Sequence, residues 1–100
     1  MAGKIRLSWS PEALEQLASK FEYIAERDLE AAKRLVRELE ELAEGIPFTP
    51  EIGRMVPEYK RHDLRERIHK KKYRLIYRLR PGEAEIALVW HTASPNLPEL

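Results

Sequence analysis

The sequence predicts an α+β domain. An N-terminal strand leads into an antiparallel helical hairpin that packs on one face of a mostly antiparallel sheet of about four strands. Three observations carry this. Apolar and charged residues alternate with period two at 4–9, 64–69 and 73–78, as in half-buried strands. Between the first of these segments and the second lie two stretches with apolar residues at helical spacing. The connection between those two stretches is short, which returns the second helix antiparallel to the first.

Each element has its own local signals. Lys4-Ile5-Arg6-Leu7-Ser8-Trp9 reads as the first strand. Ser10-Pro11-Glu12-Ala13 is a helix start: Ser10 can cap, and Pro11 suits the first helical position because the N–H it lacks has no partner there. Leu14, Leu17, Phe21 and Ile24 then form the apolar stripe of the first helix, with Ala13, Ala18 and Ala25 beside them. The helix lapses near Glu26-Arg27, where Asp28 can cap a second one striped by Ala32, Leu35, Val36, Leu39, Leu42 and Ala43. Gly45 followed by Pro47 ends it. Residues 46–58 hold three prolines and a glycine and read as an ordered loop. Strands over 64–69 and 73–78 follow, separated by Lys70-Lys71-Lys72. A Pro81-Gly82 turn then leads to a last strand, Ala84–His91. The tail Ser94-Pro95-Asn96-Leu97-Pro98 cannot continue a central strand.

The chain's 100 residues fit one domain over 1–100 with one core. It has no cysteine, which excludes a disulfide scaffold and a thiolate zinc site. No apolar run approaches the ~18 residues of a membrane span, and the N-terminus lacks a secretory apolar region, so a cytoplasmic setting without membrane contact is the expectation. The net charge of +1 hides a strong asymmetry. Residues 59–80 hold ten Lys/Arg against Asp63 and Glu66, a local +8, while residues 1–58 carry −4 and residues 81–100 carry −3.

That basic segment is the candidate site. Leu64 and Ile68 share one face of their strand, and Arg65, Arg67 and His69 share the other. Arg74 and Arg78 share a face of the next strand, so the hairpin is expected to lay guanidinium and imidazole groups in a row across one sheet surface, suited to phosphate or carboxylate. The competing account is a solvated charged face, whose exposed pairs are worth only ~0–1 kcal/mol each. His91 ends the last strand and can act as acid or base near neutral pH, or simply as a structural hydrogen-bonding residue. His62 and His69 lie beside arginines, which favour their neutral form. The three histidines lack metal-ligand spacing, so neither metal nor cofactor is expected. Tyr73 and Tyr77 fall opposite Arg74, where sheet-to-helix packing accounts for them.

Several segments together resemble toxins of the RelE/ParE superfamily. They are Trp9-Ser10-Pro11-Glu12-Ala13, Tyr23-Ile24-Ala25, Ala31-Ala32 with Arg34-Leu35, Gly53-Arg54-Met55-Val56-Pro57-Glu58, Leu64-Arg65-Glu66, Tyr73-Arg74-Leu75-Ile76-Tyr77-Arg78 and Val89-Trp90-His91. The matches fall in the expected order and cover nearly the whole chain. The resemblance implies the toxin half of a bacterial type II toxin–antitoxin pair, neutralised by a cognate antitoxin that wraps around it.

The superfamily holds two activities on one fold. RelE-type members cut mRNA in the ribosomal A site; ParE-type members bind DNA gyrase and are not nucleases. The resemblance to RelE places the alternating basic pair on Arg65 and Arg67 and the Tyr-Arg arginine on Arg74, with His91 as a further catalytic candidate. The family's C-terminal arginine and tyrosine have no counterparts in Thr-Ala-Ser-Pro-Asn-Leu-Pro after His91. ParE members commonly end in His-x-x-Arg, and here Ser94 stands three residues after His91. The long Ala-rich second helix, with Tyr23-Ile24-Ala25 and Ala31-Ala32, is more similar to ParE. ParE-like inhibition of DNA gyrase is therefore the expected activity, and RelE-like ribosome-dependent mRNA cleavage the alternative. On either, Arg61, Arg65, Arg67, His69, Arg74 and Arg78 are expected to meet a partner or nucleic acid.

Overall fold

The computed structural model describes residues 4–100. The elements run β1 (Arg6–Trp9), α1 (Pro11–Ala25), α2 (Leu29–Glu44), a 3-10 turn (Ile46–Phe48), β2 (Arg54–Met55), β3 (Leu64–His69), β4 (Tyr73–Arg80) and β5 (Glu83–His91). They build one five-stranded sheet in the order β1-β5-β4-β3-β2. β1 pairs with β5 in parallel, and the other neighbours are antiparallel. The α+β reading holds, and the strand beyond the expected four is the two-residue β2.

The helix boundaries follow local chemistry. Ser10 Oγ accepts from the Ala13 N–H at 3.0 Å and donates to the Ala87 carbonyl at 2.9 Å, so the α1 cap is also an anchor onto β5. Asp28 caps α2 by accepting from the Ala31 N–H at 3.0 Å, and Gly45 closes that helix. The stretch read as a loop contains the 3-10 turn and β2. β2 is too short for a period-two pattern, so nothing in the residue order announces it.

The sheet buries apolar residues on both faces. On the helix side, Leu17, Leu35 and Leu39 meet Tyr73, Leu75, Tyr77, Ile86 and Val89. On the other side lies a smaller cluster, Val56, Leu64, Ile76, Ala87 and Leu88, covered by Tyr59, Trp90, Leu97 and Leu100. Consecutive residues Ala87 and Leu88 share that cluster because the register jumps from Ile76↔Leu88 to Tyr77↔Ile86, which leaves Ala87 as the extra residue of a β-bulge. The tail beyond β5 thus crosses the face away from the helices. No helix among the described residues is long and apolar enough to cross a membrane.

Candidate functional site

The expected single row of basic groups is split between the two faces of the sheet. β3 and β4 pair as Arg65↔Tyr77, Arg67↔Leu75, Ile68↔Arg74 and His69↔Tyr73. Directly paired residues share a face, so Arg65, Arg67 and His69 stand on the helix side, while Arg74 and Arg78 stand on the open side with Ile68 and Leu64. Contrary to the expectation from sequence, the two strands do not present their basic groups on one surface. Period two fixes faces within a strand, but the register set by the turn decides which residues of two strands share a face.

On the open side Arg74 is not a free cation. Its Nη1 and Nη2 donate to the two carboxylate oxygens of Glu58 at 2.8 and 2.7 Å, and its Nε donates to Glu66 Oε1 at 2.6 Å. Glu66 accepts a further bond at Oε2 from Arg54 Nε, also at 2.6 Å. The Glu66 side chain is 0% exposed and that of Arg74 only 10%. Bidentate pairing with Glu58, reinforced by Glu66, holds the Arg74 guanidinium firmly protonated. Glu58 in turn is drawn down to about 2 by its hydrogen bonds to Arg74.

That depression has a consequence in acid. The folded-state value lies below the ordinary 4.5, so the ionised pair stabilises the fold above the ordinary value and this contribution is lost as pH falls towards 2. The Glu58 side chain is 51% exposed, so solvent screening keeps the effect modest. Urea denaturation of wild type and Glu58→Gln across pH 6 to about 2 is expected to show a smaller acid-side loss in the variant. Equal losses would disprove the coupling.

The remaining open-side candidates are also engaged. Arg78 Nη1 donates to Glu85 at 3.1 Å. Arg61 forms a two-pronged pair with Asp63 at 3.0 and 2.6 Å, and its Nη1 donates to the Leu100 backbone oxygen at 2.5 Å. The Tyr59 hydroxyl donates to the Pro98 carbonyl, and the Trp90 indole N–H donates to the Ser94 carbonyl at 3.0 Å. Between the tail and the sheet lies a cleft of about 680 Å³, with Glu58, Tyr59, Arg61 and Arg74 on its sheet side and Asn96 and Pro98 on its tail side.

On the helix side Arg65 Nη1 donates to the Gly53 carbonyl at 3.0 Å, and its Nε is buried without a partner. The Tyr77 hydroxyl donates to the Pro50 carbonyl at 2.7 Å and accepts from the Gly53 N–H at 3.0 Å. His69 Nε2 lies 2.7 Å from Glu38 Oε1, and Lys70 Nζ lies 3.3 Å from the same oxygen. A carboxylate only accepts, so Nε2 is the donor, and Nδ1 is buried without a partner. The His69 bond, helped by Lys70, holds the Glu38 carboxyl below its usual range. His91 Nδ1 accepts from the Ala93 N–H at 3.0 Å, and its ring meets Tyr73 edge-on at 5.4 Å. It pairs with Tyr73 and therefore also stands on the helix side.

The fold thus brings Arg65 and Arg67 onto one side and Arg74 onto the other, with His91 apart from Arg74. No single phosphate could touch all four. The groups that the sequence reading missed are Glu58 and Arg54. Nothing in the sequence links Glu58 to an arginine 16 residues later. Glu66 carried a signal: it shares strand parity with Leu64 and Ile68, so an acid on an apolar face called for a buried cation opposite.

A family model described as the ParE toxin of the type II toxin–antitoxin system, parDE, matches residues 7–95. No curated protein sequence matches the chain. Among solved structures, the chromosomal ParDE toxin–antitoxin system from P. aeruginosa is similar with a TM-score of 0.74 at 16% identity, over 88% of this chain and 96% of that one. The YoeB dimer from Staphylococcus aureus is similar with a TM-score of 0.59 at 18% identity, over 88% of this chain and 97% of that one. At these identities the structural likeness is one of fold.

Proposed function

This chain belongs to the ParE toxin family of type II toxin–antitoxin systems, and from that premise we propose that it arrests growth by binding DNA gyrase, without chemistry of its own, until a cognate antitoxin neutralises it. The observation that carries the reading is the division of the arginines. Cleavage of RNA by its own 2′-hydroxyl needs a base at that hydroxyl, charge stabilisation at the phosphate and an acid at the leaving oxygen. Arg65 and Arg67 stand on the opposite side of the sheet from Arg74. Both carboxylates at Arg74 are already engaged: Glu66 is buried with its two oxygens bonded to Arg74 and Arg54, and Glu58 is held at about 2 with both oxygens bound to the Arg74 guanidinium, which makes each a poor base. A toxin that works by occupying a surface of its target needs no such convergence. On this reading Arg61, Arg74 and Arg78 hold the open face together, and Arg67 with Lys71 and Lys72 of the turn is the cationic element left for a partner.

The test is a supercoiling assay with purified gyrase. Inhibition at micromolar protein is expected, and unimpaired supercoiling would sink the proposal. Primer extension on messages from arrested cells is expected to show intact mRNA. A-site cuts, lost in Arg74→Ala, would instead establish the ribosome-dependent nuclease.

A further inference from the structure

Where α2 meets the far end of the β3–β4 hairpin, a cleft of about 300 Å³ opens on the helix side. Its lining has two chemistries. Ile24, Leu35 and Tyr73 supply an apolar floor, and the exposed Arg34, Lys70 and Lys72 supply a cationic rim. The wall formed by α2 follows from helical spacing: Ala31, Arg34, Leu35 and Glu38 recur at i, i+3, i+4 and i+7 and so share one face. Lys20 adds a further cation, with its Nζ 5.9 Å from the centre of the Tyr73 ring.

Glu38 is the one acid in this lining, and its charge is already shared by His69 at 2.7 Å and Lys70 at 3.3 Å. Arg34 and Lys72 make no ion pair among the described residues. The cleft therefore presents an unbalanced positive rim around an apolar floor. Its volume lies at the low end of the ~300–1,000 Å³ typical of ligand sites, which suits one side chain better than a cofactor.

We propose that this cleft binds an acidic segment of a partner protein by taking one large apolar side chain onto its floor while flanking carboxylates meet Arg34, Lys70 and Lys72. The inference rests on the toxin–antitoxin reading in that this reading supplies a protein partner. A nucleic-acid strand would satisfy the rim but leave the floor unused.

The experiment uses the whole chain and a short fluorescein-labelled peptide of glutamates and aspartates with one central phenylalanine, titrated by fluorescence anisotropy at low salt. Exchanging that phenylalanine for alanine is expected to weaken binding about tenfold. Arg34→Glu and Lys72→Glu, both at exposed positions, are each expected to weaken it about tenfold. Lys60→Glu makes the same charge change away from the cleft and is expected to alter binding by less than about twofold. The proposal is overturned if the peptide does not bind, if the alanine peptide binds as well, or if Lys60→Glu weakens binding as much as Lys72→Glu. It is also overturned if a single-stranded RNA displaces the peptide and loses affinity in the same two variants. Gyrase supercoiling is assayed on the same preparations. Peptide binding without gyrase inhibition would sink the target assignment and leave the cleft standing; gyrase inhibition without peptide binding would do the reverse.

Discussion

Glu66→Ala is expected to lower the unfolding free energy by about 3–5 kcal/mol in urea denaturation. The Glu66 carboxylate is 0% exposed and is bonded to Arg74 and Arg54 at 2.6 Å each. Removing it strands the Nε of a guanidinium that is itself nearly buried. Arg54, more than half exposed, can turn to water instead. Arg74 keeps its two bonds to Glu58, which points to the lower end of the range. Glu66 lies beside Leu64 and pairs across the ladder with Ile76, both in the open-side cluster. The double variant Glu66→Met/Arg74→Met replaces the ion pair with apolar groups in that setting. It is expected to recover most of the loss, because an apolar substitute for a buried pair is often neutral or better. A double variant no more stable than Glu66→Ala would refute the account. The same double variant bears on function: a gyrase-binding toxin tolerates it, whereas a nuclease dependent on Arg74 does not.

The features legible in the sequence are those encoded within a few residues. Ser10 with Pro11, Asp28, and Gly45 before Pro47 each act on backbone groups one turn away, so the helix boundaries could be placed from residue order. Faces within β3 and β4 followed from alternation for the same reason. The relation between the two strands did not. It depends on the turn at Lys70 and Lys71, whose φ values of 51° and 60° are left-handed. Such a conformation is ordinarily announced by glycine or asparagine, and three lysines signalled only a polar break. The pairing Ile68↔Arg74 then placed Arg74 away from Arg65 and Arg67. The charge balance was misleading in a related way. A local excess of cations suggested free guanidinium groups, but Glu58, Glu66 and Glu85 reach Arg74 and Arg78 from other elements of the fold, and Asp63 pairs with Arg61 only two residues away. The signal that survives is the part whose cations lack such partners.

Gly53→Ala is expected to cost about 2–3 kcal/mol, through a clash that cannot be relieved locally. A Cβ at this position would lie 2.6 Å from the Glu66 carbonyl oxygen and 2.6 Å from the Tyr77 hydroxyl. The first is backbone of β3. The second is held by bonds to Pro50 and to Gly53 itself, on a ring with no exposed surface. Neither can retreat, so β2 must move out from β3, stretching the Arg65 bond to the Gly53 carbonyl and the Arg54 bond to Glu66. Tyr77→Phe separates the contributions. Alone it removes the hydroxyl and its two hydrogen bonds, at about 1–2 kcal/mol. Combined with Gly53→Ala it also removes one of the two closest atoms in the way, leaving the Glu66 carbonyl and the ring Cε1 at 3.0 Å, so the double variant should lose less than the sum of the single losses. Strict additivity would mean that the backbone shift already clears the hydroxyl and that the Glu66 carbonyl and the ring edge set the cost. Hydrogen exchange separates local from global loosening. Protection is expected to fall first in β2 and at the Arg54–Glu66 pairing, while the β4–β5 ladder keeps its protection, because a wedge at Gly53 acts on the sheet edge that carries the Arg74 network.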